Sequence, residues 1–67
     1  MKAKDLLYFV DIAANPSESA RDRVDAVKEI KKDFTARGID WKKACGGEMY
    51  PIPAMKKVRE FIERGCR

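Results

Sequence analysis

Few of the side chains that carry chemistry occur in this chain. It has no histidine, so the usual proton acceptor at neutral pH is missing. Its two cysteines, Cys45 and Cys66, cannot close a zinc site by themselves. Cys45 stands two residues after Lys43 and directly before Gly46, and a cysteine near a cation is the single candidate nucleophile. Its more ordinary role is that of a small core residue near Trp41. Cys66 is expected at the surface, where oxidation would bridge two copies. Gly46-Gly47 lacks the Lys-Ser/Thr that follows the glycines of a phosphate loop, and reads as a helix stop. No nucleophile–base pair, carboxylate pair or metal-ligand set emerges, so the expectation is a non-enzymatic protein with no cofactor and no metal.

Binding residues are easier to find. Trp41 with Lys42 and Lys43 places an aromatic ring beside two cations, a combination that stacks on bases and contacts phosphates. The competing role for Trp41 is a cover over the core where two helices meet. Tyr50, in a proline-flanked loop, is an anchor for a protein partner or an ordinary loop-to-core contact. Lys56, Lys57 and Arg59 fall near the start of the last helix, where the backbone dipole prefers anions, and that unfavourable placement hints at use. Folding back of the loop would join them to Lys42 and Lys43 in one basic patch. The expected surface for nucleic acid or an acidic partner is thus Trp41, Lys42, Lys43, Tyr50, Lys56, Lys57 and Arg59. A helix-turn-helix built from residues 40–45 and 53–64 fits poorly, because the intervening turn is too long and carries two prolines.

The charge distribution agrees with this location. The net charge is +4 over 67 residues. Residues 1–36 carry seven basic and seven acidic groups, whereas residues 37–67 carry eight against four, so all of the excess lies in the second part. A one-sided positive field draws polyanions or acidic protein surfaces, although a charge of this size also serves plain solubility.

These residues need a frame, and the apolar spacing predicts an all-α domain, a single unit spanning residues 1–67. The first helix is expected over 3–14, with Leu6, Leu7, Phe9, Val10 and Ala13 on a broad stripe, making it the most buried element. The second is expected over 16–37. Asn15 or Ser17 would cap it, with Pro16 opening it and Glu18 completing a capping box. Its inner face would be Ala20, Val24, Val27, Ile30 and Phe34, and Gly38 would close it in the left-handed conformation. A short helix over 40–45 starts at Asp40 and stops at Gly46. Pro51 and Pro53 are expected to hold an extended segment before a last helix over 53–64, whose inner face is Ala54 or Met55, Val58, Phe61 and Ile62. The first two helices form a hairpin and the last packs across both. A core this small gains from self-association, so a homodimer is expected. No apolar run is long enough for a membrane span and no secretion signal is visible, which gives a cytoplasmic expectation with no membrane partner.

The first half resembles helical-hairpin segments of small phage-encoded proteins, including parts of terminase small subunits. In these an apolar helix ends at an alanine-rich turn and an Arg-Asp-Arg-hydrophobic-x-Ala pattern follows, here Arg21, Asp22, Arg23, Val24 and Ala26. The resemblance covers about residues 6–34 and implies phage or mobile-element origin. Two functions follow as expectations: a small basic helical protein binding nucleic acid through its second half, or a phage-type inhibitor or adaptor of a host protein complex.

Overall fold

The computed structural model describes residues 2–66. Four helices follow one another: α1 (Ala3–Ala14), α2 (Ala20–Ala36), α3 (Trp41–Cys45) and α4 (Pro51–Glu63), with no strand among the described residues. This is the expected all-α architecture of three main helices and one short one. The core contains Leu6, Val10 and Ala13 of α1, Ala26, Ile30 and Phe34 of α2, Ala44 and Cys45 of α3, and Ala54, Met55, Val58, Phe61 and Ile62 of α4. By this measure α4, with five buried residues against three, is the most buried helix, and not α1.

Two helix starts differ from expectation. α2 begins at Ala20, four residues late, because Ser19 is the cap: its hydroxyl accepts from the Asp22 N–H at 3.1 Å. Asn15 instead accepts from the Ser17 N–H at 2.9 Å, which turns the chain after α1. Ser19 and Asp22 satisfy the helix donors with a serine and an acid in the first turn, and that arrangement outcompetes the Asn15 box. α4 begins at Pro51, two residues early, so the proline pair lies inside the helix. Both prolines fall in the first turn, where their missing N–H groups have no helical partner in any case. The first helical bond runs from Ala54 N–H to the Tyr50 carbonyl, 3.0 Å.

The helix ends share a device that is spelled twice in the sequence, as Phe-x-x-Arg-Gly-x over 34–39 and again over 61–66. In each copy the glycine has a positive φ, +73° at Gly38 and +80° at Gly65. The next residue donates back to the phenylalanine carbonyl: Ile39 to Phe34 at 2.8 Å, Cys66 to Phe61 at 2.9 Å. This pattern returns the chain over its own last turn and brings the residue after glycine toward the phenylalanine. Ile39 and Cys66 accordingly pack on the core, so Cys66 is half-buried and not fully at the surface.

α1 lies against both α2 and α4, and α3 lies mainly against α4. Asp11 pairs with Arg59, while Ala13 lies near Ala54 and Met55, so α4 runs antiparallel to α1, as α2 does. α4 does not pack across α2: no Cα atoms of these two helices come within 8 Å. Only side chains bridge them. Phe34 meets Phe61 and Trp41, each with ring centroids 5.9 Å apart. The inner line of α2 is also rotated from expectation. It follows the four-residue row Ala26, Ile30, Phe34, which leaves Val24 52% exposed and Ala20 at the surface.

The cap assignment has a direct check. Ser19→Ala should lower the unfolding free energy by about 1 kcal/mol in urea titration, whereas Ser17→Ala should change it by less than about 0.5 kcal/mol.

Candidate functional site

The absence of close backbone contact between α2 and α4 leaves an apolar groove that runs along α2 from Ala20 to Lys31, with the start of α4 on its other side and Trp41 among its lining. Ala13, Val27, Ala54 and Met55 contribute its buried and half-buried surface. Val24 and Ala20 come from the exposed side of α2, and Met49 and Pro51 from the segment that leads into α4. Met49 is 91% exposed, and a flexible thioether at a groove edge adapts to varied partners. The groove encloses about 370 Å³ and its lining is mostly apolar. Three cations stand on the α2 side, Arg23, Lys28 and Lys31, against one acid, Glu48. Arg23 has a buried Nε with no hydrogen-bond partner.

The expected binding residues divide around this groove. Trp41 is part of its lining, but its ring is already engaged: Phe34 packs on it, and the Lys31 ammonium stands 5.3 Å from its centroid. Tyr50, 74% exposed, caps α4 through its backbone, and neither it nor half-exposed Ile52 is part of the groove lining. Lys42 and Lys43 are exposed on α3, as are Lys56 and Lys57 on α4. Lys57 lies over α3's end, its side chain against Gly46, where an added Cβ would meet Lys57 Cδ at 2.8 Å. Arg59 does not join them. Two residues apart on a helix face different ways, and Arg59 reaches back to Asp11 of α1. Glu60 and Glu63, also exposed on α4, interrupt the positive surface further.

The sequence pattern points to none of Arg23, Val24, Lys28, Lys31 and Met49 as lining residues: the first four lie in the charge-balanced half, with Val24 expected in the core, and Met49 lies in the loop beside Tyr50. A subtler signal exists. Ala26, Ile30 and Phe34 form an exact four-residue row, and once that row faces inward, Val24, Lys28 and Lys31 must share one flank of α2.

Cys45 is buried, its Sγ facing the Lys42 carbonyl at 3.9 Å, and so follows the core role. Both thiols are free, and among the described residues no group of three His, Cys, Asp or Glu side chains converges as a metal site would require. No helix among the described residues is long and apolar enough to cross a membrane. Family models, curated proteins and solved structures provide no match to this chain.

Burial separates the two thiols. With a thiol-reactive dye under native conditions, Cys66 should label at least about 10-fold faster than Cys45, and unfolding in urea should equalise the rates.

Proposed function

We propose that this chain is a non-catalytic protein-binding module whose groove between α2 and α4 takes an apolar segment bearing acidic residues. The observation that carries this reading is the gathering of exposed apolar side chains, Val24 and Met49, within the groove next to Arg23, Lys28 and Lys31. Exposed apolar surface rimmed by charge is the ordinary mark of a protein contact. The cations would steer an acidic partner, and the apolar floor would supply most of the affinity. An adaptor or inhibitor of the kind small phage proteins provide fits this description, in line with the resemblance of the first hairpin.

A second reading, nucleic-acid binding, has one observation in its favour: Lys42, Lys43, Lys56 and Lys57 are all exposed on α3 and α4. It is the weaker of the two. Trp41 has its ring packed between Phe34 and Lys31 and so offers little for base stacking. Arg59 is engaged with Asp11, and Glu60 and Glu63 would repel phosphates along the same helix.

A displayed library of amphipathic helical peptides separates these readings. Selected binders should be enriched in Asp and Glu beside Leu or Phe. Their affinity, followed through Trp41 fluorescence, should fall at least about 10-fold in Val24→Asp and Met49→Asp variants. Glu substitutions at Lys42, Lys43, Lys56 and Lys57 should change it by less than about 3-fold. Duplex DNA binding that these four substitutions abolish, with a steep loss as salt rises and no groove-dependent peptide, would replace the protein-binding reading with the nucleic-acid one.

A further inference from the structure

α2 carries an acidic row along one flank, with Arg21 and Lys32 at its margin beside Asp25. Asp22, Asp25 and Glu29 follow one another at spacings of three and four and share one side of the helix. Asp33 continues that row and pairs with Arg37 at 2.8 Å. Lys28 and Lys31 lie with Val24 on the opposite side, in the groove described above. The acidic side is not a bare charge cluster. Tyr8, Phe9 and Ile12 of α1 join Glu18, Asp22, Asp25, Ala26 and Glu29 around a second cleft of about 390 Å³. Tyr8 is 63% exposed and rests edge-on against Phe9, 5.6 Å between centroids. One helix thus separates an apolar cleft with an acidic rim from an apolar groove with a basic one.

We propose that the occupant of the groove is a second copy of this chain, which presents the acidic flank of its α2 together with Tyr8. The proposal rests on the protein-binding reading of the groove. The chemistry sought there, apolar surface accompanied by carboxylates, is what the far side of the same molecule displays. The rows also agree in length: Asp22 to Glu29 and Val24 to Lys31 each cover two helical turns, about 11 Å at the α-helical rise. A single chain cannot close this contact, because the two surfaces lie on opposite flanks of one helix. A symmetric pairing of two grooves would set Arg23, Lys28 and Lys31 against their own copies, a like-charge arrangement that specific interfaces avoid. The contact is therefore head-to-tail, and each added copy retains one free groove and one free acidic flank.

Charge reversal on each side tests the pairing. The variants are Lys28→Glu/Lys31→Glu on the groove side and Asp25→Lys/Glu29→Lys on the acidic side, all at exposed positions. In sedimentation velocity at low salt, the wild-type weight-average mass should rise with concentration past that of a dimer. Raising the salt to about 0.5 M should weaken this association roughly 10-fold, since such contacts are screened. Each variant alone should sediment as a monomer, and an equimolar mixture of the two should associate again, because every unmatched surface then has a partner. Circular dichroism establishes that each variant is folded. Should reversal unfold either, Lys28→Gln/Lys31→Gln and Asp25→Asn/Glu29→Gln serve instead, with the same loss of association expected. A wild-type chain that stays monomeric, association indifferent to both variants, or a mixture that remains monomeric would overturn the proposal. If monomeric wild-type protein still binds acidic amphipathic peptides in the groove, head-to-tail association falls while the protein-binding reading stands. If neither occurs, both fall.

Discussion

Phe34 holds three of the four helices in register. It is fully buried near the end of α2, and its ring touches Trp41 at the start of α3 and Phe61 near the end of α4. α2 and α4 are joined through side chains such as this aromatic pair and through α1, which packs against both. Removing a buried phenylalanine typically costs about 3–5 kcal/mol, which is most of the stability of a domain this size. The ring is also fixed from its own end, since the Phe34 carbonyl accepts from Ile39 after the left-handed turn at Gly38. Backbone and side chain thus place the same residue.

The Phe34–Phe61 pair sits near the ends of α2 and α4, and the groove runs from Trp41 beside it toward the helix starts. α2 and α4 both run antiparallel to α1, so their first turns lie together, away from the phenylalanines. There the helices are spaced too widely for side chains to close the gap, and Ala13 and Ala54 are too small to fill it. What remains is the groove. Its apolar lining follows from the core having too few large residues at this end, and its basic wall follows from the rotation that turns Ala26, Ile30 and Phe34 inward. The arrangement trades some buried area for an open apolar surface, a cost that a chain of 67 residues bears with little margin.

The net charge of each half does not locate that groove. The first half of the chain is neutral in sum, which reads as inert scaffold. Folding converts the neutral sum into two unlike clefts, one lined by Glu18, Asp22, Asp25 and Glu29 and the other mainly by the cations Arg23, Lys28 and Lys31, while Arg21 and Lys32 stand near Asp25. The second half, which carries the whole excess, is diluted by folding: Arg59 turns to Asp11, and Glu60 stands about one helical turn from Lys56 and Lys57. Sums along a chain ignore the direction in which side chains point, and fields at a surface depend on it.

The amino-acid sequence by itself determined the helical class, the order and approximate extent of the helices, the left-handed ends at Gly38 and Gly65, the Asp40 cap of the short helix and the core role of Cys45. Each of these depends on neighbours within one or two turns, where spacing and local hydrogen bonding decide the outcome. The start of α2 was legible only in part, since Asn15, Ser17 and Ser19 all have cap chemistry and the choice depends on where the turn after α1 must direct the chain. The proline pair was misleading for a similar reason: Pro51 and Pro53 suit an extended segment as well as a first helical turn, and the packing of Ala54 and Met55 selects the turn. Only the tertiary structure decided the rotation of α2, the separation of α2 from α4, the withdrawal of Arg59 and the engagement of Trp41 by Lys31. Those features arise from contacts between residues far apart in the chain, whose relative placement no local pattern encodes.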